Sequence, residues 1–205
     1  LRILLASSNP GKIKELGEIL SGLDVTILTL KDFSAINLPP EDAGTFAGNA
    51  LIKARHAAKV SGVATIADDS GIEVDALGKR PGVLSARYAG ERASDGENNS
   101  KLLAELEGVP ENERGAAYKC VIAFVEPVTG FEATFEGALR GVVAPAPRGA
   151  GGFGYDPLFY VPELRKTAAE LPPEVKNRIS HRAMALEKLK KFLLGRYASE
   201  LKAES

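Results

Sequence analysis

Apolar positions along this chain recur with two periods, one close to that of a helix and one close to that of a strand. Leu1 to Ala6 is a short apolar run, Ser7-Ser8-Asn9-Pro10-Gly11-Lys12 follows, and Ile13, Leu16, Ile19 and Leu20 then recur at helical spacing up to Ser21-Gly22. That order predicts strand, turn and helix. Val25 to Leu30 predicts a second strand. A proline-containing loop, Pro39-Pro40-Glu41-Asp42-Ala43-Gly44, leads to a helix that Thr45 can cap, that carries Ala50, Ala54, Ala57 and Ala58, and that ends near Gly62. Val63 to Ala67 reads as a short buried strand between Gly62 and Gly71, with Asp68 and Asp69 at its carboxyl end.

Further along, Ile72 to Leu77 alternates apolar and polar residues until Gly78-Lys79-Arg80-Pro81-Gly82 breaks the pattern. Ser94-Asp95-Gly96-Glu97 is a capping box ahead of Leu102, Leu103 and Leu106 and marks a helix start. Ala116 to Val125 and Phe131 to Glu136 flank a turn at Pro127-Val128-Thr129-Gly130, and Ala138 to Ala144 is expected to continue the meander as a third run. Pro145, Pro147 and four glycines up to Gly154 predict an extended loop, and Ala183 to Leu194 an amphipathic terminal helix. No repeat, low-complexity tract or linker divides the chain. The pattern therefore predicts one α/β domain over residues 1–205, with an antiparallel lobe inserted between its halves.

Composition narrows the function. Lys and Arg number 26 against 27 Asp and Glu, a net charge of −1, so no global field draws the chain to nucleic acid or to a membrane surface, and any anionic ligand must be held by a local basic cluster. One cysteine, Cys120, excludes an internal disulfide and a multi-thiolate zinc site, which fits a reducing cytoplasm. No apolar run approaches the ~20 residues that span a bilayer, and no signal-peptide pattern is present.

Four segments carry chemistry. Adjacent carboxylates in a strand point to opposite faces and repel unless a cation or a proton lies nearby, so Asp68-Asp69 suggests a divalent metal, with a solvated Asp-Asp-Ser-Gly turn as the alternative. The turn from Ser7 to Lys12 can offer helix-start N–H groups and an ammonium to phosphate, although it lacks the Walker A spacing; an ordinary capped helix is its alternative. Gly149 to Gly154 matches G-x-G-x-x-G, but the prolines before it and Tyr155-Asp156-Pro157 after it exclude a dinucleotide turn. Phe153, Tyr155 and Asp156 instead suit stacking on a base and accepting hydrogen bonds from its edge, with a tight turn burying two aromatics as the alternative. Lys176-Asn177-Arg178-Ile179-Ser180-His181-Arg182 sets three cations and a histidine just before the last helix, with Ser180 able to cap it, and cations at a helix start call for an anionic or accepting partner. A solvated basic face is the alternative. His56 reads as structural or surface, and neither histidine has metal-ligand spacing.

Taken together these segments resemble the non-canonical purine nucleoside triphosphate pyrophosphatases, the inosine triphosphate pyrophosphatase family. The resemblance runs in order through Ser8-Asn9-Pro10-Gly11-Lys12 with Glu15, Thr45-Phe46 to Ala54, Ala67-Asp68-Asp69-Ser70-Gly71, Pro81-Gly82 to Tyr88, Gly152-Phe153-Gly154-Tyr155-Asp156-Pro157 and Ser180-His181-Arg182. It implies an elongated mixed central sheet flanked by helices, two lobes with a nucleotide cleft between them, a homodimer, a Mg²⁺ requirement, and hydrolysis of ITP, dITP and XTP to the monophosphate and pyrophosphate, which removes them from the nucleotide pool. By residue, it implies triphosphate contacts along Ser7, Ser8, Asn9, Pro10, Gly11 and Lys12 and at Lys53. Asp69 matches the general base and metal ligand, with its neighbour Asp68 also a catalytic candidate able to accept the proton and Ser70 a substrate contact beside them, and Glu41 a second metal contact that Asp42 can replace. Phe153, Gly154, Tyr155, Asp156, Lys176, His181 and Arg182 match the base-recognition set, in which loop amides near Phe153 join His181 and Arg182 as donors to a 6-oxo group. Ser7-Ser8 stands where Thr-Gly is frequent, and Gly48 where glutamate is. The competing readings are a pyrimidine-preferring pyrophosphatase of the septum-inhibition kind and a non-catalytic nucleotide- or RNA-binding module.

Overall fold

The computed structural model describes residues 1–20 and 23–197, without the side chain of Ile19. The helix stop predicted at Ser21-Gly22 lies outside the described residues. The elements in chain order are β1 (Arg2–Leu5), α1 (Pro10–Leu20), β2 (Thr26–Thr29), α2 (Phe46–Ser61), β3 (Thr65–Val74), α3 (Asp95–Glu105), β4 (Gly115–Glu126), β5 (Phe131–Val143), β6 (Phe159–Val161), β7 (Lys166–Thr167), α4 (Pro173–Ile179) and α5 (His181–Arg196), with short 3₁₀ turns between several of them. The strands form one seven-stranded mixed sheet in the order β2-β1-β3-β4-β5-β6-β7. β1 is parallel to both β2 and β3, with Leu5 opposite Thr29 and Ile66, whereas β5–β6 and β6–β7 are antiparallel. β4 and β5 are neighbours joined by residues 127–130, a link short enough only for antiparallel strands. Among the described residues no helix is long and apolar enough to cross a membrane.

The fold divides into two compact units. Of the described residues, 1–20, 23–69, 120–137 and 182–197 form the first; residues 70–119 and 138–181 form the second. In the first, strand alternation sends Ile3, Leu5 and Ile66 to one face, packed with Leu16 and Leu20 of α1 and Leu186, Leu189 and Leu193 of α5. Leu4, Ala6 and Ala67 point to the other face, against Ala50, Ala54, Ala57 and Ala58 of α2. The alanine stripe lets that helix lie close on the sheet. Thr45 caps it by accepting the Gly48 N–H, and Gly62, at φ 69°, ends it in the left-handed conformation. In the second unit Ile72, Val74, Leu102, Leu106, Tyr118, Tyr155, Phe159 and Val161 share one core. The capping box at Ser94 forms with both of its bonds.

Three expectations are corrected. The strand predicted to stop before the aspartates continues through them to Val74, so Asp68-Asp69-Ser70-Gly71 is strand interior and not a turn. Gly71 was read as a boundary, yet it marks a close approach: Ser85 donates to the Gly82 carbonyl at 2.6 Å and accepts the Ile72 N–H at 2.9 Å, directly over the missing Cβ. Likewise Phe131 to Val143 is one strand and not two: it runs on through Gly137 and past Gly141, which admits the Tyr160 carbonyl of β6. Finally, the last helix opens at His181, so His181 and Arg182 lie in its first turn, while Lys176 and Arg178 occupy the last turn of the separate helix α4, where the helix dipole favours cations.

Gly71→Ala tests the close approach, since its Cβ would sit 2.3 Å from Ser85 Oγ and 2.5 Å from the Gly82 carbonyl oxygen. Urea denaturation should show a loss of about 1–3 kcal/mol. Gly17→Ala in α1, where no atom lies within 4 Å of the new methyl, should instead gain up to about 1 kcal/mol.

Candidate active site

The turn after β1 is built as a capped helix start. Asn9 Oδ1 accepts the Lys12 N–H at 3.1 Å, its own N–H donates to Ser7 Oγ at 3.3 Å, and Pro10 occupies the first helical position, where its missing donor costs nothing. This cap fixes the start of α1 and aims Lys12 at the sheet. Lys12 Nζ lies 3.0 Å from Asp68 Oδ2. Arg182, from the first turn of α5, brings Nε to 3.5 Å of the same oxygen, and its Nη1 pairs with Glu15 of α1. The expectation that a cation at this helix start needs an anionic partner is thus met by Asp68 and Glu15. Burial works against ionisation of Asp68, but Lys12, Arg182 and Lys53 outweigh it and hold the carboxyl well below the usual carboxylate range. Arg182, itself buried, is held in its charged form by Asp68 and Glu15.

Asp69 meets a different environment, because the next strand residue faces the α2 side. Asn49 Nδ2 donates to its Oδ2 at 2.9 Å, and Asn49 Oδ1 accepts the Ala43 N–H at 2.9 Å, so one buried amide ties the acidic loop at residues 39–44 to the carboxylate. Gly48 fits the same arrangement, since a Cβ there would lie 2.6 Å from that of Ala43. Lys53 pairs with Glu41 and donates to the Asp68 carbonyl at 2.6 Å. Burial pushes the Asp69 carboxyl up, Glu41 adds to the rise, and Lys53 and the Asn49 bond only partly offset it. Lys53 is itself raised, the fields of Asp68 and Glu41 exceeding the effect of burial. Neighbouring carboxylates therefore differ in sign: Asp68 is a fixed anion, and Asp69 binds a proton more tightly than a free aspartate.

The donors near Asp69 suit a hard cation. Asp69 and Glu41 supply carboxylate oxygens. Among the described residues no three Asp, Glu, His or Cys side chains gather as a metal cage. That is the donor set expected for Mg²⁺, which takes one or two carboxylates and completes its shell with phosphates and water.

In the second unit Asp156 is the hub of the predicted base-recognition set. Its Oδ2 accepts the Phe153 N–H at 2.9 Å and Lys176 Nζ at 2.7 Å, and its Oδ1 accepts the Tyr118 hydroxyl at 3.2 Å. Lys176 Nζ also lies 4.9 Å over the Phe153 ring. Tyr118 stacks between Phe159 and His181, with ring centroids 4.1 and 4.7 Å away. Tyr155 is buried and donates to the Ser85 carbonyl at 2.8 Å. Two groups of the expected base set have partners within the protein. The Phe153 and Gly154 amides, expected as donors to a ligand, already donate to carboxylates, the latter to Asp95 at 2.6 Å. Arg182, expected with the base set, makes its ion pairs with Asp68 and Glu15 of the first unit. Ser8 is exposed and Ser70 half-buried. Tyr118 and Asn49 had not been singled out: Tyr118 is one aromatic among the apolar residues of β4 and matches no motif, whereas a lone asparagine in an alanine-rich helix face is a signal that could have found Asn49.

Comparison with known proteins gives a consistent result. The Ham1 family profile matches residues 3–192. A dITP/XTP pyrophosphatase of Geobacter sulfurreducens is 54% identical over 192 residues, covering 94% of this chain and 96% of its own length. One of Thermus thermophilus is 50% identical, covering 92% and 90%. The solved structure of a HAM1 protein from Coxiella burnetii superposes with a TM-score of 0.88 at 45% identity, over 95% of this chain and 99% of that one. The Staphylococcus aureus Ham1 protein gives 0.86 at 41% identity, over 96% and 100%.

The ion pairs of Asp68 make a pH-dependent prediction. Its folded-state pKa is lowered, so its stabilisation is complete above the unfolded value of 3.8 and is lost as pH falls through the folded one. Asp68→Asn leaves Lys12 and Arg182 facing a neutral amide and should cost about 3–5 kcal/mol at pH 7. Denaturation from pH 7 to pH 2 should show the difference between the two proteins closing in acid.

Proposed function

This chain belongs to the Ham1 family, and we propose that it hydrolyses non-canonical purine nucleoside triphosphates (dITP, ITP and XTP) to the monophosphate and pyrophosphate, with Mg²⁺. The observation that carries the reading is the geometry of the adjacent pair: Asp68 lies 3.0 Å from Lys12 and 3.5 Å from Arg182, while Asp69 accepts from Asn49 at 2.9 Å on the side of the Lys53–Glu41 pair. The names of relatives half identical over nearly the whole chain support the substrate class. Cleaving the α–β linkage requires that about four negative charges be neutralised, that one water be oriented and that its proton be accepted. Ser7 to Lys12 and Lys53 bind the triphosphate end. Asp69 accepts the proton of the attacking water, its affinity for it raised by burial. Asp68 cannot share that task, because three cations hold it ionised, so it positions Lys12 instead. Asp69 and Glu41 would hold the metal, which would supply charge neutralisation for phosphate and a more acidic water. Phe153 stacks on the base, and His181 and Lys176 supply donors to its 6-oxo group. Adenine would leave such donors unpaired, a heavy penalty in a buried site.

The same reading includes a homodimer, which the family resemblance supports, and a cytoplasmic location, which the single cysteine supports. A non-catalytic binding module would gain nothing from placing Asp69 and Glu41 beside phosphate.

The test is to measure pyrophosphate and monophosphate separately from ITP, dITP, XTP, ATP, GTP, dTTP and UTP, with Mg²⁺ and with chelator. Pyrophosphate from ITP, dITP and XTP, lost with chelator, is the expected result. Orthophosphate release, equal rates on ATP and ITP, or preference for dTTP and UTP would overturn it. Asp69→Asn should lower kcat at least ~100-fold while leaving the thermal midpoint close to that of the parent.

A further inference from the structure

Helix α3 lies far in sequence from every segment assigned to the substrate, yet it holds both backbone groups of one residue in the base loop. Asp95 Oδ2 accepts the Gly154 N–H at 2.6 Å, and Asn99 Nδ2 donates to the Gly154 carbonyl at 3.0 Å. The two side chains stand four residues apart, one turn of the same helix face, and so reach opposite edges of a single peptide residue. The capping box at Ser94 and Glu97 sets where that turn begins. Asn99 is buried, so its amide makes this bond out of water.

We propose that Asp95 and Asn99 are positioning residues for base selectivity, acting through Gly154. The inference rests on the reading of Phe153 as the stacking residue. Gly154 sits at φ 62°, a conformation that glycine visits freely and that no side chain of its own stabilises. On one side of it the Phe153 N–H is fixed by Asp156, and on the other the Tyr155 hydroxyl is fixed by the Ser85 carbonyl. The α3 clamp is the third point of attachment. With all three, the Phe153 ring and the Asp156 carboxylate that holds Lys176 keep one geometry before a base arrives. Without the clamp, Gly154 is free to turn and each base meets a loop that must first be ordered. Selectivity then falls, because discrimination between a 6-oxo and a 6-amino group depends on donors that cannot move to accommodate the wrong one.

The experiment compares Asp95→Ala, Asp95→Asn, Asn99→Ala and Asn99→Asp in the full-length protein, using ITP and ATP. Asp95→Asn keeps an oxygen acceptor for the Gly154 N–H, whereas Asn99→Asp keeps the shape and loses the donor. Asp95→Ala and Asn99→Asp should raise KM for ITP about 10-fold with kcat within about twofold, and should narrow the ITP-to-ATP ratio of kcat/KM by a similar factor. Asp95→Asn should restore both to near parental values. Amide exchange at Gly154 gives a readout that needs no activity: its protection should fall in Asp95→Ala and return in Asp95→Asn. Parental kinetics and protection in Asp95→Ala, or a loss confined to kcat, would overturn the clamp. Failure of the parent protein to release pyrophosphate from ITP would overturn the functional reading instead, and the exchange measurement would still decide whether the clamp exists.

Discussion

The buried carboxylate of Asp68 is the constraint on which the first unit is organised. A lone anion taken fully out of water costs several kcal/mol, and the fold tolerates it only because Lys12 and Arg182 arrive from two different helices to neutralise it. Each cation comes from the first turns of its helix, so meeting one oxygen fixes how α1 and α5 start against β3. Glu15 then completes the chain of charge by taking the far side of Arg182. The pairing that positions Lys12 also consumes its charge.

That consumption bears on how a triphosphate is held. Lys12, Lys53 and Arg182 are the cations of this group, and Glu15, Glu41, Asp68 and Asp69 are its carboxylates. Three positive charges thus accompany four negative ones, and the group has no net attraction for a polyanion when all are ionised. Phosphate affinity must come either from uptake of a proton, for which Asp69 is predisposed, or from an added cation. On the proposed reading a divalent ion would serve better at neutral pH, because it would relieve the repulsion between Asp69 and Glu41 and leave Asp69 ionised to act as a base.

Much of this was legible before any coordinates. The period-2 rule alone sends Asp68 and Asp69 to opposite faces, and the structure bears it out through Ile66 and Ala67, which belong to different cores. Cap chemistry likewise marked α2 and α3, since Thr45 and the Ser94 box are local signals that tertiary packing did not override. Glycine was a source of error. Gly71 reads as punctuation in the sequence, whereas it is a place where another turn comes too close for a Cβ, as Gly141 is for a neighbouring strand, a fact that exists only once distant segments have met. Tyr118 and Asn99 escaped notice for a related reason: each acts through a partner more than 30 residues away and matches no local pattern.

The base loop shows why a motif identifies a region better than a role. Gly152 to Asp156 suggested amides open to a ligand, because a glycine-rich turn exposes its backbone. In the folded chain two of those amides are already taken by carboxylates, and Asp156 is drawn into holding its own loop. Gly152 is required for that, as a Cβ there would lie 2.0 Å from Asp156 Oδ2. On the proposed reading, recognition of a base edge would pass from the backbone to side chains whose positions the loop determines. A backbone amide offered to a 6-oxo group would read it by geometry alone, whereas His181 stacked on Tyr118 and Lys176 bound to Asp156 would read it through groups that are themselves hydrogen-bonded or packed. Selectivity in such a design resides in the rigidity of the supports as much as in the donors.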